Sequence, residues 1–250
     1  MTRAHSIWML LLGVALLSPI SASRAFAVCG GVDGTSARVP CDCGDTVGIT
    51  PTILSATDPV TRKVCSAADG VAALVVGRLV NLDMKAVTLR CDTSVGFIAG
   101  LLIRDGVTVD GGGGIIDGCD IGIDGRGSES LIIGVTARNG GDGFMLLGNR
   151  NQLIRNLCTR NVFNGIVVRG NANILDRNYC RGNAGDGIAV LGNDNQLQHN
   201  QGRSNGGHGV VASPFGGANQ SDGRNYGTGN ALTPQCEIDG HSTTPSGKYC

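Results

Sequence analysis

"GDGFMLLGNRNQLIRNLCTRN", residues Gly141 to Asn161, threads four asparagines and three arginines between single apolar residues. An amphipathic helix needs apolar positions three and four apart, and a half-buried strand needs strict alternation; this stretch keeps to neither for long. The following "FNGIVVRGNANILDRNYCRGN", Phe163 to Asn183, repeats the same pattern.

Set in register, Gly143, Gly165, Gly187 and Gly209 fall 22 residues apart, each followed by an apolar triplet: FML, IVV, IAV and VVA. The same step carries Leu153 to Leu175 to Leu197, Asn156 to Asn178 to Asn200, and Asn139 to Asn161 to Asn183 to Asn205. A fixed period of this size means stacked repeats, each burying its apolar face only against its neighbours. Helical hairpin repeats are longer and favour helix formers. Here the apolar triplets are short and punctuated by Gly, Asn and Asp, so each repeat reads as one coil of short strands.

Three columns then face inward: Phe144, Ile166, Ile188 and Val210; Leu146, Val168, Val190 and Ala212; Leu153, Leu175 and Leu197. Like residues stack at the ~4.8 Å spacing of neighbouring strands. The Asn columns come three residues after an inward residue, where the chain must turn. Asn is expected to take up the left-handed corner conformation there and to bond to adjacent coils through its amide. Cys158 and Cys180 share an inward column, within the ~4.4–6.8 Å that a disulfide accepts.

Composition agrees. The chain has 41 Gly but only two Glu and three Lys, so helix should be scarce. Five Phe, three Tyr and one Trp leave Ile, Val and Leu to build a core in narrow layers. The opening "MTRAHSIWMLLLGVALLSPISASRAFA" has an early basic residue, an apolar run from Ile7 to Leu17, and Ala25 and Ala27 around Phe26. It reads as a secretory signal peptide over 1–27, cleaved near Ala27, and implies an extracellular or periplasmic protein. No later segment reaches the ~18 apolar residues of a membrane-spanning helix. Loss of Arg3 and Arg24 with the leader lowers the 20 basic residues to 18, against 20 acidic. That balance argues against nucleic acid or an anionic membrane as partner.

All ten cysteines, an even number, follow the leader, which favours disulfides in an oxidising compartment. Pairing in chain order is the expectation: Cys29 with Cys41, Cys43 with Cys65, Cys91 with Cys119, Cys158 with Cys180, Cys236 with Cys250. The sequence leaves other connectivities open. No His lies near the Cys41–Cys43 pair, so neither a metal nor another cofactor is expected.

The repeat grammar resembles that of the right-handed parallel β-helix, the pectate-lyase-like superfamily of pectin-degrading enzymes, alginate epimerases and phage tailspikes. The resemblance implies an all-β solenoid with 22-residue coils and a disulfide-pinned N-terminal cap. It covers Gly100 to Asn230, and "GLLIRDGVTVDGGGGIIDG" resembles the segment by which such proteins enter their regular coils. The expected organisation is a leader at 1–27, a disulfide-rich cap with irregular first coils at 28–99, a regular β-helix at 100–230, and a C-terminal cap at 231–250.

In β-helix enzymes the active groove runs along outward residues of one parallel sheet. Just before each repeat Gly stand Asp142, Asn164, Asp186 and His208. Outward within the strands stand Met145, Val167, Ala189 and Val211, then Leu147, Arg169, Leu191 and Ser213. Asp142, Asp186 and His208 are the candidate catalytic residues, with Asn164 and Arg169 as substrate ligands. Two coils of ~4.8 Å separate the carboxylates, close to the ~6.5–9.5 Å of inverting glycosidases. Asp-Gly and Asn-Gly are also ordinary turn dipeptides, so a purely structural role competes.

"GGHGVVAS", Gly206 to Ser213, resembles the Gly-His-Gly motif of polygalacturonases, with His208 as the motif histidine and Asp186 as one of that family's paired aspartates. Gly185 stands where the other aspartate belongs, Asn164 replaces the aspartate of the Asn-Thr-Asp motif, and no Arg-Ile-Lys follows. A second outward column, Arg155, Arg177 and His199 with Arg181 and Arg203 nearby, could pair the carboxylates of an acidic glycan. Its like charges require solvent, Asp176 or an anion between them. "NQS" at Asn219 is a glycosylation sequon. The reading is a secreted solenoid that engages extracellular polysaccharide, with self-association through its apolar outward stripe as a further expectation. Non-catalytic binding or a surface-structural role stands first, a polysaccharide-degrading enzyme second.

Overall fold

A computed structural model describes residues 27–32, 34–213, 219–239 and 247–250 of the chain. The leader expected over 1–27 lies outside the described residues, apart from Ala27. Three short strands make a coil. One coil runs Asp142–Leu146, Gln152–Ile154 and Leu157–Thr159; the next runs Ile166–Val168, Ile174–Asp176 and Tyr179–Arg181. Stacked coils form a first sheet of ten strands and a second and third of eight each, about nine turns of an all-β parallel solenoid. The one helix among the described residues is the four-residue Pro59–Arg62, and no described helix is long and apolar enough to cross a membrane.

Register follows the apolar columns. Phe144, Ile166, Ile188 and Val210 are successive partners in the first sheet, as are Leu153, Leu175 and Leu197 in the second. All of these are fully buried. Each outward side chain leaves an inward neighbour on either side, so a one-residue slip would expose the whole column.

The corners differ from expectation in one respect. Asn139 takes the expected left-handed conformation, at φ 55°, but beside the buried Asn residues the left-handed residue is the one before: Arg155 has φ 54°, Arg177 54° and His199 53°. The turn at that residue swings the following Asn side chain inward, where its amide replaces the strand hydrogen bonds that the corner interrupts. Asn178 Oδ1 accepts from the N–H of Asn156 at 3.0 Å and from its Nδ2 at 3.1 Å; Asn178 Nδ2 donates to Leu153 O at 2.8 Å and Asn200 Oδ1 at 3.0 Å. The same arrangement links Asn161, Asn183 and Asn205. A third ladder, Asn151, Asn173, Asn195 and Asn219, was not anticipated.

Asn139 is not part of a ladder. The coil above is one residue shorter, since Arg138 pairs with Thr159, so Gly140 stands over Asn161. Asn139 is instead exposed and donates to Asp117 at 2.8 Å. The sequon at Asn219 is also a ladder position: the side chain is 7% exposed and its amide donates to Asp239.

Five disulfides join the cysteines in chain order. Cys158 and Cys180 lie one above the other, with Cα atoms 4.6 Å apart. Cys29–Cys41 and Cys43–Cys65 pin the N-terminal end, and Cys236–Cys250 the other. A disulfide-rich solenoid of this kind fits a secreted, extracellular protein.

Candidate functional site

The outward face of the first sheet carries an open cleft of about 330 Å³. Asp142, Asn164, Asp186 and His208 form one wall, Met145, Val167, Ala189 and Val211 the floor, and Arg169, Leu191 and Ser213 the far side. Leu147, from the same column as Arg169, lies outside this lining and is 45% exposed. The residues meet because each strand of the sheet alternates inward and outward positions and successive strands pair in register.

The wall is a hydrogen-bonded ladder. Asp142 Oδ1 accepts from the N–H of Asn164 at 2.8 Å and from its Nδ2 at 3.1 Å. Asn164 Oδ1 accepts from the N–H of Asp186 at 2.8 Å. Asp186 Oδ1 accepts from the N–H of His208 at 2.6 Å and lies 3.2 Å from its Nδ1. One oxygen of each carboxylate is therefore committed to holding the next coil, as a structural turn would require. The other oxygen of each carboxylate forms no hydrogen bond among the described residues, which leaves an acceptor in every second coil for hydroxyl donors. His208 and Asp186 are each about one quarter exposed, at 25% and 26%, so solvent reaches the pair.

Arg155, Arg177 and His199 are placed at the corner between second and third sheets, away from this cleft. Asp176 supplies the counter-charge at this corner: its Oδ2 pairs with Arg177 at 2.5 Å and its Oδ1 lies 3.4 Å from His199 Nδ1. Asp222 approaches the same nitrogen at 3.3 Å, and Arg224 lies 3.3 Å from Nε2. Arg155 is exposed.

Three features were not read from the sequence. Phe163, 59% exposed, precedes Asn164 at a position that is glycine in the neighbouring coils, Gly141 and Gly185; an aromatic where the repeat has glycine was the available signal. Asp124 continues the floor column between Leu102 and Met145. It is 3% exposed, pairs with Arg126 at 2.8 Å, and its Oδ1 has no hydrogen-bond partner among the described residues. Tyr179, on the third sheet, has Arg181 and Arg203 both 5.9 Å from its ring centroid. Among the described residues, no group of three or more His, Cys, Asp or Glu is arranged to hold a metal ion.

Comparison of the chain with protein-family models, curated proteins and solved structures finds no match.

Proposed function

We propose that the chain is a secreted β-solenoid protein that binds an extracellular polysaccharide along the open face of its first sheet, without cleaving it. The observation that carries this reading is the cleft from Asp142 to His208, with one polar wall residue and one apolar floor residue per coil. An extended sugar chain has the matching character: hydroxyl groups along its edges and C–H faces between them. A chain lying along the solenoid axis meets a free carboxylate oxygen at Asp142, an amide at Asn164, a carboxylate at Asp186 and a guanidinium at Arg169. The resemblance to the pectate-lyase-like superfamily supports a carbohydrate ligand. In this reading the leader over 1–27 exports the chain, 28–99 and 231–250 cap the two ends, and 100–230 presents the binding face.

Binding without catalysis is favoured by the openness of the cleft. From Phe144 to Val210 each step is 22 residues, leaving no inserted loop within those coils to wall the groove among the described residues, and electrostatic catalysis depends on a site sheltered from water. A second reading, a glycoside hydrolase or lyase, is favoured by the contact of His208 with Asp186 and by Asp142 two coils away in the same cleft. Titration with neutral and acidic polysaccharides, with reducing ends and unsaturated products followed in parallel, separates the two. Saturable binding with no product supports the first. Turnover abolished by Asp186→Asn, which keeps the Oδ1 acceptor of the ladder, establishes the second in its place.

A further inference from the structure

The third sheet holds a cluster that the groove does not use. One outward column contains Arg90, Asp117 and Arg138 in successive coils, and there the carboxylate neutralises its neighbours: Asp117 Oδ2 accepts from Arg138 at 2.9 Å. Further along the same column Arg181 and Arg203 are register partners, ~4.8 Å apart along the solenoid. Both are exposed, and neither makes an ion pair with any described residue. Stacking on tyrosine holds them instead. Each lies 5.9 Å from the Tyr179 ring centroid, and Arg203 also lies 5.4 Å from that of Tyr226, whose ring packs 4.8 Å from Tyr249. Cation–π contacts of this kind orient a guanidinium without neutralising it. Two shallow clefts, of about 430 and 320 Å³, share Tyr179 and Arg203, and Arg177 and His199 line the larger.

We infer that this face is a second binding site, specific for the anionic groups of an acidic polysaccharide. Arg181 and Arg203 present two pre-oriented forks to successive carboxylates or sulfates, and bidentate pairing with either anion relieves the repulsion between two like charges in adjacent coils. Single-stranded nucleic acid fits less well, because it binds by stacking bases on aromatic faces, and the guanidiniums already lie against Tyr179. The site stands whether or not the first-sheet groove binds sugar, since it shares no residue with it.

The test uses the oxidised, folded protein with four probes: polygalacturonate, dextran sulfate, neutral dextran and a thymidine oligonucleotide. The charged glycans should bind with an affinity that falls as salt rises, neutral dextran should not depend on the arginines, and Arg181→Gln with Arg203→Gln should weaken charged-glycan binding at least about tenfold. Whichever of polygalacturonate and dextran sulfate binds more tightly identifies the anion. Unchanged affinity in the double variant overturns the site, as does failure of both charged glycans to bind or an oligonucleotide that binds as tightly as they do. A melting temperature equal to the parent's verifies the fold. Should the Gln pair unfold, Arg181→Lys with Arg203→Lys decides: it keeps the charge, loses the fork, and must still bind more weakly.

Discussion

Removal of a single ladder amide tests how the coils are held in register. Asn178 is 1% exposed and takes part in four hydrogen bonds through its side chain. In Asn178→Ala, Asn156 Nδ2 keeps its bond to Ile132 O and Asn200 Oδ1 keeps the backbone N–H of residue 178. The backbone N–H of Asn156 loses its acceptor. A buried, unpaired donor costs about 1–3 kcal/mol, and each of the other lost amide hydrogen bonds about 0.5–1.5 kcal/mol, so the expected destabilisation is about 2.5–7.5 kcal/mol. Asn178→Asp should be at least as damaging despite its matching shape, because a carboxylate cannot donate and would face Leu153 O and Asn200 Oδ1. Asn139→Ala, at an exposed position with one bond to Asp117 and a left-handed φ of 55°, should cost less, about 1–2 kcal/mol, chiefly from placing Ala in that conformation. Urea unfolding measures the totals, and hydrogen exchange at the Asn156 amide isolates the orphaned donor, which should exchange faster in Asn178→Ala, whereas in Asn178→Asp a carboxylate oxygen still accepts it. Stability within about 1 kcal/mol of the parent, with that amide still protected, would refute the ladder as a source of stability.

Other perturbations have equally definite outcomes. Burial pushes the Asp117 carboxyl up, but hydrogen bonds from Arg138 and Asn139 and the charges of Arg138 and Arg90 outweigh it and hold it below its ordinary value. A depressed native value makes the contribution to stability full above the ordinary 3.8 and lost as pH falls through the native value. Asp117→Asn should therefore narrow the gap between unfolding midpoints measured at pH 6 and in acid below about 3; an unchanged gap contradicts the pairing. Replacing Cys158 and Cys180 together by Ala removes a cross-link spanning 22 residues, and the loop-entropy relation gives about 3 kcal/mol of lost stability. Denaturant titration of the double variant checks this, and a loss under about 1 kcal/mol would mean the unfolded chain is already restricted without the cross-link.

The architecture was readable from the sequence because one repeat is one coil, so a period in the chain becomes a column in space. Phe144 to Val210 and Leu153 to Leu197 followed directly, as did the grouping of Asp142, Asn164, Asp186 and His208 along one wall. A constant period misplaces residues wherever one coil differs in length, and the 21-residue step between Arg138 and Thr159, against 22 from Thr159 to Arg181, put Asn139 on the surface. The left-handed corner was assigned to Asn by its backbone tolerance, which holds at Asn139, while the buried ladder demanded the side chain of Asn156, Asn178 and Asn200 and left the strained conformation to Arg155, Arg177 and His199. Tyr179 beside Arg181 and Arg203 escaped notice because these contacts cross between columns, the one to Arg203 also between coils, and depend on where long side chains lie.

Hydrogen exchange of the oxidised protein, free and saturated with a bound polysaccharide, tests the binding face most directly. The account predicts new protection concentrated at residues 142–147, 164–169, 186–191 and 208–213, reduced when Asn164→Ala and Arg169→Ala are combined. A folded protein that binds no polysaccharide, or one whose protection avoids those four segments, would contradict it.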